Sequence, residues 1–430
     1  MYMQQALITA LGKGVRNLAQ LRGGGSALPG LFVEKIDPAY IRRTLSQLPH
    51  GIVLVSGTNG KTTTTKMVVQ LLEGQGLRVF TNRTGSNFTR GVAAALLGEV
   101  DNRGVLHADI AVLELDEAHA VLFVKSIAPT YSLLLNVMRD QLDRFGEIDN
   151  TAALLHTIAQ HTTNSIVINR DDPRLASPAF LDDIQATVHT YGVDESLRMH
   201  FPSDDQLHGN TPQPELAGDS LRHDDVSLRA MDGQRATISY ADADHVVDLK
   251  LNGIYNVQNA VGAVAITRSI MGDDLDEPAM LKSLSEVTPA FGRGESIMIN
   301  GNSCELLLVK NPGGFRLSLQ SFDPAGHATM IAINDNYADG RDMSWLWDVD
   351  FHSLVEHGVD VVGGIRAYDM ALRLQYDEVE FRHVETGIAT ALEYFLSHHM
   401  DKPKRIYCTY TAMLAIRREL AKQVKIEAVL

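Results

Sequence analysis

Gly57-Thr58-Asn59-Gly60-Lys61-Thr62-Thr63 lies between the apolar run Ile52-Val53-Leu54-Val55 and a helical pattern carrying Met67, Val68, Leu71 and Leu72 on one face. Strand, glycine-rich turn, Lys-Thr and helix form the arrangement that binds nucleotide phosphates. Glycines let backbone N–H groups approach the phosphates, Lys61 can reach the β- and γ-phosphates, and the Thr62 hydroxyl can ligate Mg²⁺. The spacing is shorter than in the general phosphate loop and matches the variant Gly-Thr-Asn-Gly-Lys-Thr. As part of a ligand site, Lys61 is expected to be partly exposed.

Working outward, short apolar runs alternate with helical patterns. Ile110–Leu115, Ser132–Leu135 and Ile166–Ile168 read as further strands, and this alternation predicts an α/β fold with a parallel sheet. A second alternating block starts near residue 300. There Glu305–Val309, Met330–Ile333, Val359–Val362 and Ile406–Cys408 read as strands, and Ile388–Phe395 and Ala412–Leu420 as helices. Three regions are expected: an N-terminal segment 1–45, a nucleotide-binding domain 46–294, and a smaller Rossmann-like α/β domain 295–430. Between 195 and 245 the pattern weakens into a polar, proline-containing stretch, read as a surface insertion or irregular β segment. His200, His208 and His223 fall there without metal-ligand spacing.

The chain has 430 residues and a net charge of −15, which argues against nucleic acid as a partner. Its two cysteines, Cys304 and Cys408, cannot make a disulfide framework or a four-cysteine zinc site. Neither lies in the context of a catalytic nucleophile. No apolar run is long enough to span a bilayer. Met1–Leu21 has Leu7, Ile8, Leu11, Val15 and Leu18 at helical spacing and reads as an amphipathic helix, not a signal peptide; packing on the body of the protein is one reading and contact with a membrane surface the other. A cytoplasmic location is expected.

Acids cluster at strand ends. Ile110-Ala111-Val112-Leu113-Glu114-Leu115-Asp116-Glu117 is an apolar strand ending in carboxylates, placed to hold Mg²⁺ beside a phosphate loop. Glu114 is the first candidate and Glu117 the second. Asn136, Asp140 and Asp143, in the segment Leu135–Gly146, could order a metal-bound water or orient substrate; ion pairing with Arg139 and Arg144 is the structural alternative. Asp335, Asp339, Asp342, Asp348 and Asp350 follow the strand Met330–Ile333 and enclose both tryptophans, Trp345 and Trp347. A strand-end loop rich in acids and aromatics suits a binding site.

Gly57–Thr63, Glu114, Asn136–Gly146, Asn169-Arg170-Asp171-Asp172-Pro173, Asn256–Asn259 and Gly292-Arg293 occur in the order found in the Mur ligase family, which the chain resembles. Those enzymes are ATP-dependent carboxylate–amine ligases of cell-wall synthesis that pass through an acyl phosphate. The resemblance implies a Mur ligase-like central domain, with Gly57, Thr58, Asn59, Gly60, Lys61, Thr62 and Thr63 at the phosphates. It further implies Thr62 and Glu114 at Mg²⁺, and Asn256, Asn259 and Arg293 at the nucleotide.

Leu308-Val309-Lys310-Asn311-Pro312-Gly313-Gly314 and Asn334–Trp345 are similar to the MurT branch of that family, as are Gly24–Gly30 and Tyr410–Met413. That resemblance implies the synthetase subunit of lipid II isoglutaminyl synthase. Such a subunit amidates the α-carboxylate of D-glutamate in the stem peptide to D-isoglutamine. It implies ATP and Mg²⁺ as cofactors and a heterodimer with a GatD-like glutamine amidotransferase that supplies ammonia. Asp342 would be the third member of that partner's triad, and membrane contact would come through the lipid substrate. Many MurT proteins carry a four-cysteine zinc ribbon in the central domain; residues 195–245 contain no cysteine, so no zinc is expected. Amino-acid-adding Mur ligases usually carry a lysine past the Asp140–Gly146 loop, and none occurs between Glu147 and Arg170. The rival readings are an amino-acid-adding Mur ligase or folylpolyglutamate synthetase, and an ATP-binding scaffold without turnover.

Overall fold

A computed structural model describes residues 2–21, 27–82, 88–140, 148–208, 225–289, 293–299, 301–398 and 400–424. Its first half is built on the four expected strands and two that were not expected, Val79–Thr81 and Thr187–Val193. β1 (Ile52–Ser56), β2 (Val79–Thr81), β3 (Ile110–Glu114), β4 (Tyr131–Leu134), β5 (Ser165–Asn169) and β6 (Thr187–Val193) are mutually parallel. β1, β3, β4 and β5 are buried along their whole length. Such mostly apolar strands, buried end to end, belong to a sheet covered by helices on both faces.

Alternation along β1 separates the two faces. Val53 and Val55 pack with Met67, Val68, Leu71 and Leu72 of the helix Lys61–Gly74, and with Val257, Val261 and Val264 of the helix Ile254–Met271. Ile52 and Leu54 face the other core, with Val92 and Leu96 of the helix Thr89–Glu99 and Leu155 and Ile158 of the helix Ile148–His161. The N-terminal helix Tyr2–Leu21 and the helix Ala27–Ile36 lie on this second side, where Ile8 and Val33 join the core.

Part of the stretch expected to be irregular is regular β structure. β7 (Val226–Asp232), β8 (Arg235–Tyr240) and β9 (Ala243–Asp248) extend the sheet. β7 pairs parallel to β6, while β8 and β9 run antiparallel to their neighbours. The described order is β2-β3-β1-β4-β5-β6-β7-β8-β9. Asp232-Gly233-Gln234 turns the β7–β8 hairpin, with Gly233 at φ +56. The two loop residues are Gly233 and Gln234, and a glycine at the first of them was the legible signal here.

A second sheet, in the order β10-β11-β15-β12-β13-β14, follows. It comprises β10 (Arg293–Ile299), β11 (Asn302–Leu308), β12 (Ala328–Ala332), β13 (Val359–Gly363), β14 (Phe381–Glu385) and β15 (Lys404–Cys408). Only β10 is antiparallel to its neighbour among the described pairs. Apolar clusters cover both faces of this sheet: one holds Phe315, Trp345, Phe351 and Tyr407, the other Leu306, Met330, Phe395 and Met413. Cys304 and Cys408 are buried within the latter, and burial pushes the Cys304 thiol up to about 12. Among the described residues no helix is long and apolar enough to cross a membrane.

Candidate functional site

The carboxyl ends of β1, β3, β4 and β5 converge where the strand order reverses at β1, which is where open α/β sheets place ligands. The turn leaving β1 requires two glycines in the left-handed region. Gly57 sits at φ +133, and a Cβ there would lie 3.0 Å from the Asn136 backbone nitrogen. Gly60 sits at φ +88, and a Cβ there would lie 2.6 Å from Asn259 Oδ1. The loop is therefore pressed between β4's exit and the helix Ile254–Met271, and it opens onto the first turn of the helix Lys61–Gly74.

Lys61 is buried, contrary to expectation, with 7% of its surface exposed. Its Nζ donates to the Gly57 and Thr58 carbonyls and stands 3.3 Å from Glu117, itself buried. Burial alone would lower the Lys61 pKa. The carboxylates of Glu117, Asp116, Asp140 and Glu114 outweigh it and raise the pKa above the ordinary lysine value. Glu117 is not a strand residue: β3 ends at Glu114, and Glu117 opens the helix Glu117–Val124. Thr62 Oγ1 donates to Glu114 Oε1 at 2.8 Å, so the hydroxyl and carboxylate named for Mg²⁺ are adjacent. Asn82 fixes the same strand end, donating to the Glu114 carbonyl and accepting its N–H. Thr58 and Thr63 are buried in the loop and first helical turn.

The strand-end loop after β4 holds the phosphate loop from the side. Asn136 Oδ1 accepts the Asn59 N–H at 2.8 Å and its Nδ2 donates to the Asn59 carbonyl at 3.1 Å. Lys310 donates to Asp140 at 2.9 Å, while Arg139 lies by Asp204. Burial works to raise the Asp140 pKa, but Lys310 and Lys61 hold it below the usual carboxylate range. Asp143, Arg144 and Gly146 lie outside the described residues, as do His223, Gly24–Ser26 and Gly292.

Asp172 ties two of these loops together. It is buried and accepts N–H groups from Val137 at 2.6 Å, Arg174 at 3.0 Å and Leu175 at 3.2 Å. Asp172→Ala strands three backbone donors. The expected loss is about 2–4 kcal/mol of unfolding free energy, read by denaturant titration. An unchanged midpoint would show that these donors find other partners.

A cavity of about 110 Å³ adjoins the loop. Its lining includes Asn59, Gly60 and Asn259, Asp171 and Tyr255, and, from the segment that follows β11, Lys310 and Gly314. Asn259 is thus at the cavity. Asn256 is not among its lining residues: it is fully buried, donates to the Asn252 carbonyl at 2.6 Å, and holds the turn that enters its helix. Arg293 is the first residue of β10, and its side chain lies outside the described residues.

The second sheet carries the other candidate, Asp342, on the loop after β12. Its Oδ1 accepts the Ser344 N–H at 2.9 Å, and hydrogen bonds from Ser344 hold its carboxyl below the usual carboxylate range. The carboxylate is therefore ionised at neutral pH. Neighbouring acids differ in kind. Asp339 is buried and accepts the Thr411 N–H at 2.7 Å together with its hydroxyl, anchoring the loop to the helix Tyr410–Leu420. Asp335 pairs with Arg366 at 3.0 Å. Trp345 is buried beside Phe315, whereas Trp347 is exposed and meets Tyr376 edge-on.

The functional contacts that sequence reasoning missed are Glu117 on Lys61, and Lys310 and Asn311 against the loop. The run Lys310-Asn311-Pro312-Gly313-Gly314 was visible as a motif, but nothing in it names the loop it meets.

The chain is similar to known proteins. A model of the Mur ligase middle domain matches residues 55–267, and one of the MurT ligase C-terminal domain matches residues 308–413. Subunit MurT of lipid II isoglutaminyl synthase (glutamine-hydrolyzing) from Streptococcus pneumoniae (strain ATCC BAA-255 / R6) is 28% identical over 426 residues, 93% of this chain and 93% of that protein. The subunit of the same name from Staphylococcus aureus (strain COL) is 28% identical over 377 residues, 83% of this chain and 84% of that one. MurF ligase from Thermotoga maritima, solved in complex with ADP, matches with a TM-score of 0.63 at 17% identity, covering 90% of this chain and 85% of that chain. At that identity the likeness is one of fold.

Proposed function

We propose that this chain, which belongs to the Mur ligase family, is the ATP-dependent synthetase subunit of a lipid II isoglutaminyl synthase. The observation that carries the reading is the match to MurT subunits over nearly the full length of both chains. The reaction begins when the α-carboxylate of D-glutamate in the stem peptide attacks the γ-phosphorus of ATP and ADP leaves. Ammonia then attacks the acyl carbon, phosphate leaves, and D-isoglutamine remains.

The residues present suit the nucleotide. The two left-handed glycines let the loop turn tightly against Asn136 and Asn259, where any Cβ would collide, and a turn of this kind presents backbone N–H groups to phosphate. Lys61, kept protonated by four carboxylates, supplies the fixed positive charge for the transferred phosphoryl group. Thr62 and Glu114, 2.8 Å apart, are the pair that would hold Mg²⁺, which neutralises phosphate charge when bound. Asn259 and Tyr255 line the cavity where the nucleoside would extend. Arg293 is kept as a nucleotide residue. So is Asn256, acting through the turn before its helix.

The nucleotide chemistry is assigned to residues 46–294 and the coupling to ammonia supply to residues 295–430. A GatD-like glutaminase would dock over the loop carrying Asp342. Tyr337, Trp347, Tyr368 and Tyr376 are exposed around that loop and its adjoining helix, Ala367–Tyr376. Tyrosine and tryptophan at a surface suit a protein partner. The chain would work at the inner face of the membrane, where its lipid-linked substrate is held.

The test is reconstitution with the glutaminase subunit, lipid II, Mg²⁺·ATP and glutamine, followed by mass spectrometry of the product. Replacement of one carboxyl OH by NH₂, with ADP formed in equal amount, is the expected result. Addition of an amino acid instead would establish the amino-acid-adding ligase. ATP binding without any product would leave the scaffold.

A further inference from the structure

Three asparagine side chains press on the phosphate loop, and one of them comes from the other sheet. Asn136 holds the Asn59 backbone, and Asn259 lies against Gly60. The third is Asn311. Its Nδ2 donates to Asn59 Oδ1 at 3.0 Å, and Asn59 Nδ2 returns toward Asn311 Oδ1 at 3.4 Å. The two amides form a reciprocal pair across 252 residues of sequence. Asn311 is fully buried.

Nearby contacts tighten the same junction. Lys310 meets the buried Asp140. A Cβ on Gly313 would lie 3.2 Å from Met138, whose sulfur also accepts from Asn59 Nδ2 at 3.3 Å. Asn311 has a second, local duty as the N-cap of the helix Pro312–Ser321, accepting the Gly314 N–H at 2.8 Å.

We propose that Asn311 is a positioning residue of the nucleotide site. Acting through Asn59, it holds the phosphate loop in shape only while the second sheet is docked, so ATP binding and docking stabilise one another. This rests on the reading of the loop as an ATP site. Reciprocity follows from linkage: if docking raises ATP affinity, ATP strengthens docking by the same factor. Because Asp342 is carried by the docked sheet, ATP occupancy would also fix where that carboxylate is presented.

Substitution separates the two duties of Asn311. Serine is as good an N-cap as asparagine but is too short to reach Asn59. In the full-length chain, Asn311→Ser is expected to weaken Mg²⁺·ATP binding about 3- to 10-fold by calorimetry, the worth of one or two hydrogen bonds. Asn59→Ala should weaken it similarly, and the double variant no further than the weaker single. Mg²⁺·ATP should also slow amide exchange across 310–321 in the unaltered chain and not in Asn59→Ala. If Asn311→Ser binds ATP normally while Asn311→Ala loses stability, the residue is a helix cap and the proposal falls. Fully additive effects would overturn action through Asn59. Absence of ATP binding by the unaltered chain would overturn the nucleotide reading, and the coupling with it.

Discussion

Lys61→Ala is expected to lower glutamine-driven and ammonia-driven amidation alike, by at least about 10²–10³-fold. That is the scale of deleting one preorganised charge-stabilising donor from a transition state. Both nitrogen sources should fail together, because phosphoryl transfer precedes the step at which they differ. The burial of Lys61 complicates the variant. Its ammonium is the partner of Glu117, which is only 2% exposed, at 3.3 Å. Removing one member of a buried pair costs about 3–5 kcal/mol, because the other charge stays buried. Alanine would then remove activity partly by loosening the fold. Lys61→Met with Glu117→Gln reduces this, since a neutral pair of similar volume no longer leaves Glu117 as a buried unpaired charge. The double variant should recover much of the thermal stability lost in Lys61→Ala and none of the turnover. Near-normal ammonia-driven turnover in a stable double variant would reject the phosphate role of Lys61.

The burial of Lys61 also marks where the sequence stopped being informative. Local patterns carried the central parallel strands, because a strand covered on both faces reads as a largely apolar run, as Ile52–Val55 does. Spacing carried the phosphate loop, because left-handed Gly57 and Gly60 belong to the turn itself. Two kinds of feature escaped. Exposed edge strands such as Ala243–Asp248 have only one side buried and carry charges, so their pattern resembles a polar loop. Contacts between distant segments escaped altogether. Glu117 sits in the right run of acids, yet strand alternation would put it on the face opposite Glu114, and only the turn from β3 into the next helix aims it at Lys61. Asn311 caps the helix Pro312–Ser321, and its contact with Asn59 requires knowing that the two domains meet there. The acid-rich loop after β12 illustrates the same limit. Its composition suggests a site, but only hydrogen bonding separates Asp339, buried as an anchor, from Asp342, which keeps an ionised carboxylate at the surface side of the loop.

That separation leads to the second large effect. Asp342→Asn should abolish most glutamine-driven amidation in the complex with the glutaminase subunit, by about 10⁴-fold if the carboxylate serves the partner's histidine as a triad acid does. The carboxylate's task would be to accept the imidazole N–H, fix its tautomer and stabilise the imidazolium. An asparagine of the same size cannot supply the charge. The loop itself should survive. The amide oxygen of the substituted side chain could still accept the Ser344 N–H that Asp342 accepts now, and the anchor through Asp339 and Thr411 is untouched. ATP binding should be unchanged, because Lys61, Thr62 and Glu114 belong to the other sheet's strand ends. High ammonia should therefore restore most of the amidation rate. Asp339→Asn behaves differently in this account: it weakens the buried anchor and should lower thermal stability as well as glutamine-driven rate. Should Asp342→Asn lose ammonia-driven activity as completely as glutamine-driven activity, the residue would belong to substrate binding or loop structure in the ligase, and the triad assignment would be wrong.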